Sequence, residues 1–134
     1  MLIDALQYNN WSENIFNQLH AGGVTAVHVT IAYHEDFQET VENIIRWNRR
    51  FEQFPKLIRP AGSVEEVRAA ERENRTAIIF GCQNCSPLED DIGLVEVLHQ
   101  LGIRFMQLSY NNQSLLATGC YENGILESHA WADR

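Results

Sequence analysis

Four short apolar runs recur along this chain, each separated from the next by a segment of helical periodicity, and that alternation constrains the fold more than any other feature. Strands joined through helices run parallel, because the crossover returns the chain to the same end of the sheet. The runs fall at residues 2–6, 25–33, 76–82 and 103–110. Ser12 is placed to cap a first helix whose Ile15, Phe16 and Leu19 share one face before Gly22-Gly23 ends it. Phe37, Val41, Ile44, Asn48 and Phe51, spaced by fours and threes, predict a long helix from about Asp36 that stops before Pro55. Residues 56–60 read as a short extended connector. Ser63-Val64-Glu65-Glu66 is a capping box that predicts a third helix to about Asn74. Ser86-Pro87-Leu88-Glu89 is a second capping box and predicts a fourth helix, buried through Ile92, Val95, Leu98 and Leu101 and closed by Gly102. Beyond Asn111 no period is legible.

Such alternation leaves two architectures, an open doubly wound sheet or a (β/α) barrel. A central strand of an open sheet is apolar on both faces, whereas a barrel strand turns one face to the helices and the other to the interior. In the second run Val27, Val29 and Ile31 oppose Ala26, His28 and Thr30; in the fourth, Met106 and Leu108 oppose Gln107 and Ser109. Asp4 with Leu6, and Gly81 with Gln83, are read as the matching inner positions of the first and third runs. This parity predicts a polar interior and therefore an α/β fold of the (β/α)8 TIM type. A complete barrel takes about 250 residues, and this chain has 134. The expectation is a partial (β/α)8 barrel of about four parallel strands with intervening helices, either a fragment or one partner of an assembly. Residues 1–122 are assigned to it and residues 123–134 to an irregular tail.

A formal charge of −8 with only 10 scattered basic residues excludes a nucleic-acid surface, which needs clustered Lys and Arg. No apolar run approaches the roughly 20 residues of a membrane span, and the start at Met1-Leu2-Ile3-Asp4 lacks the pattern of a secretory signal. A cytoplasmic location, a small-molecule substrate or ligand, and either a homo-oligomer or a missing C-terminal half are therefore expected. Three cysteines without a signal read as free thiols.

The third run leads into Cys82-Gln83-Asn84-Cys85, at a strand-to-helix junction where α/β proteins place their chemistry. The spacing admits a redox dithiol, but Cys82 shares parity with Ile78 and Phe80, which points to burial and a structural thiol. A zinc site from Cys82, Cys85, Cys120 and a histidine would rest on one CxxC without a second pair. His28 is the histidine on the predicted inner face, although a histidine there is more often hydrogen-bonded to a neighbour than catalytic. His20, His34 and His99 fit surface roles, and Arg46, Arg49 and Arg50 fit a solvated face. Asn111, Asn112 and Gln113, after the last run, lie where barrel loops hold substrate; there they orient a carboxylate or amide, or else cap the strand end, while Gln107 stands on the polar face of the run itself.

Three segments in order, IDALQYNNW from Ile3, AIIFGCQN from Ala77 and LGIRFMQLSYNNQ from Leu101, resemble the renal or membrane dipeptidase family, peptidase family M19, of the amidohydrolase-like metal-dependent barrels. The resemblance runs from Met1 to about Glu122 and corresponds to the N-terminal half of such a protein. It implies a zinc-dependent hydrolase of dipeptides or small amides, in which two cations acidify a bridging water and neutralise the oxyanion. The family's His-x-Asp metal pair of the first strand would fall on Leu6 and Tyr8, and its bridging Glu on Gln83; Asp4, which precedes the pair, is retained. Leucine offers no lone pair, neutral phenol is a poor ligand and an amide carries no charge, so the mapping implies an altered metal site with no metal held by these positions. Substrate-binding candidates are Asp4, Tyr8, His28, Gln83, Gln107, Asn111 and Asn112. The alternatives are a non-catalytic, assembly-dependent binding fragment and, separately, a redox role for the dithiol.

Overall fold

The computed structural model describes residues 1–122. The chain runs β1 (Ile3–Gln7), α1 (Glu13–Ala21), β2 (Ala26–Ala32), α2 (Phe37–Gln53), β3 (Ile58–Pro60), α3 (Val64–Arg72), β4 (Thr76–Cys82), a 3-10 turn (Ser86–Leu88), α4 (Leu94–Gln100) and β5 (Ile103–Met106). All strand pairs are parallel, in the order β1-β2-β4, with β3 and β5 both on the far side of β4. The expected connector at residues 56–60 thus contains a fifth strand: β3 pairs with Thr76–Ile78 and β5 with Phe80–Cys82, end to end along one edge. Arg104 ties the two together by donating its Nε hydrogen to Gly62 O. The sheet is that of an α/β barrel left open within the described residues.

Sequence parity explains how the layers assemble. Val27 and Val29 of β2 stand beside Ile78 and Phe80 of β4, and this aliphatic face receives Phe16 and Leu19 of α1, Ile44 and Trp47 of α2 and Leu98 of α4. Burying each such side chain contributes roughly 1.5–3 kcal/mol. Trp47, absent from the predicted stripe of α2, is the hub of an aromatic cluster: Trp11, Phe16, Phe51 and Phe80 all lie within 5.1–6.2 Å of it, ring to ring.

The opposite, inner face is not uniformly polar. Its lower layer, Ala26, Ala77 and Ile79, packs with Ala61, Val67 and Ala70, because α3 crosses beneath this face rather than joining the other helices outside. Small residues at Ala26 and Ala77 allow that approach. Polar side chains begin one layer up, with His28, Thr30 and Gln83.

The two capping boxes behave differently. Ser63 Oγ accepts from Glu66 N, and the Glu66 carboxylate turns back to Gly62 N. At the second box only a single 3-10 turn forms; Glu89 has φ 49° and leaves the helix, and its carboxylate accepts instead from Phe37 N at the start of α2. A tertiary partner has displaced the local one. Helix α4 therefore starts at Leu94, and of the expected buried face only Leu98 is buried, while Ile92, Val95 and Leu101 remain exposed. Residues 123–134, with His129, lie outside the described residues.

Candidate functional site

Tyr8, Tyr33 and Gln83 are each the first residue beyond a strand, β1, β2 and β4 respectively, and Tyr110 follows β5. Parallel strands bring these four ends to one rim, and the four side chains line a cavity of about 430 Å³. This is the C-terminal end of the sheet, where barrels and open α/β sheets carry their sites. Tyr33 and Tyr110 meet edge to face, centroids 4.8 Å apart, and the His34 ring meets Tyr33 in the same manner at 4.3 Å. Burial, then the hydrogen bond to Tyr110 and the neighbouring Tyr110, Tyr121 and Cys120, push the Tyr33 phenol up, so it stays neutral. Gln83 is only 8% exposed, and its Nε2 donates to Thr30 Oγ1 at 2.6 Å.

Behind the rim lies an ionised carboxylate. Burial works to raise the pKa of Glu35, but hydrogen bonds from the Tyr33, Glu35 and His34 amides and from the Asn43 side chain outweigh it, and the net shift is down. Its Oε2 accepts from Tyr33 N at 2.5 Å and His34 N at 2.9 Å.

Two of the seven sequence candidates, Tyr8 and Gln83, line this cavity. Tyr8 is 78% exposed at its mouth. His28 sits a layer below: its ring packs over Gly81 and against Phe105 at 4.9 Å, and Nδ1 is hydrogen-bonded to Ala5 O at 2.7 Å. Asp4 is not on the inner face as its parity had implied. It pairs with Val27, on the helix-covered side, while Ala5 and Leu6 together oppose His28 in a bulge that breaks the alternation. Asp4 Oδ1 accepts from Leu6 N at 3.1 Å, and Leu6 is 45% exposed. Gln107 turns back along its own chain, Nε2 donating to Ser109 O, since β5 ends at Met106 rather than continuing to residue 110. Asn111 Oδ1 lies 3.5 Å from the Cys120 Sγ, and the backbones of Asn111 and Asn112 press on Gly119. Tyr33 and Tyr110 were not singled out from sequence. The signal that finds them is positional: in a parallel sheet the residues leaving successive strands converge.

The dithiol reading fares poorly against the structure. Cys82 is buried in the core, and its pKa is pushed up to about 12, chiefly by that burial. Cys85 is buried as well and donates its thiol hydrogen to Leu108 O. Neither thiol is exposed to a partner in solution, as redox exchange requires. Among the described residues no three His, Cys, Asp or Glu side chains group closely enough to hold a metal ion. Leu6, Tyr8 and Gln83 present a donor set of one phenol and one amide, which does not fit a pair of divalent cations. No helix among the described residues is long and apolar enough to cross a membrane.

The sequence profile of the membrane dipeptidase family, peptidase family M19, matches residues 7–132. The chain belongs to that family. A crystal structure of an amidohydrolase from Pseudomonas aeruginosa shares 38% identity and superposes with a TM-score of 0.91, over 96% of this chain and 40% of that one. Two further structures support the fold alone. The probable dipeptidase PvdM from Pseudomonas aeruginosa has 20% identity and a TM-score of 0.65 over 75% of this chain and 29% of its own. The dipeptidase AC, a metallopeptidase of family M19, has 12% identity and a TM-score of 0.74 over 95% of this chain and 50% of its own. This M19 chain thus spans half or less of the length of each of these structures. No curated protein matches its sequence.

Proposed function

We propose that this chain forms one wall of an M19-type hydrolase barrel that receives a dipeptide or other small amide at the rim of β1, β2, β4 and β5, with the first- and third-strand metal positions converted to uncharged groups. The observation that carries the reading is the cavity itself, built by residues leaving four parallel strands at the end where barrels act. A buried amide at Gln83, satisfied by a neutral hydroxyl, takes the place of a bridging carboxylate. The remaining wall comes from further strands or from a second copy. A second reading, binding without cleavage, is favoured by Leu6, which supplies no donor at all to a metal.

Elemental analysis of the purified chain and of a Gln83→Glu variant, paired with a dipeptide-hydrolysis assay, tests this. Substoichiometric zinc is expected in both proteins, because Leu6 and Tyr8 still withhold their ligands after Gln83 is changed. Stoichiometric zinc in either would overturn the residue mapping. Dipeptide turnover without stoichiometric zinc would favour the first reading, and ligand binding without turnover the second.

A further inference from the structure

Three phenol rings and one amide line the rim cavity, and no lysine or arginine is among the described residues that line it. Aromatic faces carry negative quadrupole charge, and rings grouped around a small space attract a cation more strongly than a neutral molecule of the same shape. Tyr33 and Tyr110 stand at 61° to one another, so their faces cannot both be covered by stacking on each other. Tyr8, 78% exposed, also lines the cavity, and Gln83, with its Nε2 bound to Thr30, leaves the carbonyl end of its dipole as the remaining polar group. The ionised Glu35 carboxylate, held by the Tyr33 and His34 amides, adds negative potential behind the rings. The chain as a whole carries a formal charge of −8, which draws cations toward it.

We propose that the cavity of Tyr8, Tyr33, Tyr110 and Gln83 is an aromatic cage for an organic cation, an alkylammonium or quaternary ammonium group. The inference rests on the reading of this rim as the ligand site and names the chemistry of what enters: the cationic end of the ligand lodges among the rings and its remainder points out of the sheet. Recognition by the ring faces requires no phenolate and no metal.

The test is a pair of isosteric probes, choline and its neutral carbon analogue 3,3-dimethylbutan-1-ol, titrated into the full chain by calorimetry and by the ligand-methyl NMR shift. Choline is expected to bind roughly tenfold more tightly than the neutral analogue, with methyl resonances moved upfield by the rings. Tyr33→Phe should retain this preference, because the face is kept, whereas Tyr33→Leu and Tyr110→Leu should lose it. Equal affinity for both probes, absence of choline binding to the folded chain, or loss of the preference in Tyr33→Phe would overturn the proposal. Should a leucine variant fail to fold, the probe pair and the phenylalanine variant still decide. Zinc content and dipeptide turnover are separate readouts. A protein that hydrolyses dipeptides but ignores choline refutes the cage alone, and one that loads zinc yet prefers choline refutes only the uncharged-site reading.

Discussion

Individual side chains at the rim are set by what stands behind them. Glu35 is the clearest case, a carboxylate whose burial is outweighed by amide donors that favour its charged form. Its folded pKa lies below the ordinary value, so the stability it contributes is present above the ordinary carboxylate range and is lost as pH falls through the depressed folded value. A Glu35→Gln variant is expected to be less stable than the parent at neutral pH, with the gap closing on acidification; urea midpoints measured from pH 7 down to the acid limb check this. A constant gap across that range would show that the charge plays no part. The Cys82 thiol illustrates the opposite sign. Cys82 was readable as buried from its parity alone, but the size of its shift depends on packing that no local pattern reports.

At the scale of elements, strand positions were legible and strand contacts were not. Gly81 follows a run of large residues in β4, and its reason becomes visible only in the sheet: a Cβ there would collide with the ring of His28 on β2. That ring is held by Ala5 O and flanked by Phe105, so it cannot simply swing aside. Gly81→Ala is expected to cost about 1–3 kcal/mol, as overpacking does, and the double variant with His28→Ala to recover most of it. Thermal or denaturant unfolding of the two variants is the measurement, and no recovery in the double variant would sink the explanation. The second capping box carries the same lesson. Ser86 to Glu89 contains every local signal for a helix start, yet Glu89 finds the amide of Phe37 and the helix begins later. A partner distant in sequence outweighed a local preference of about 1 kcal/mol.

For the whole molecule, the inner face is where the structure is open. Ile3 and Phe105 are 52% and 53% exposed and line, with Val64, Ile79 and others, an apolar hollow of about 390 Å³ above α3. β1 lies at one edge of the sheet within the described residues, and the apolar side chains Ile92, Val95 and Leu101 are exposed around α4. Apolar surface of this kind normally marks an interface. The 15.4 kDa chain, purified by itself, is expected to sediment as a dimer or larger and to shift toward monomer in Phe105→Lys; a wild-type monomer across the accessible concentration range would contradict that.

The sequence by itself determined the parallel α/β class, the places of four of the five strands, the outer aliphatic face and the family, because these follow from periodicity and from ordered motifs that survive without knowledge of neighbours. Only the tertiary structure decided that Tyr33 and Tyr110 join Tyr8 and Gln83 around one cavity, that α3 closes the inner face from below, and that the β1 bulge turns Asp4 away. Each of these depends on which strand ends lie side by side, and lateral register is a property of paired chains that a one-dimensional pattern does not encode.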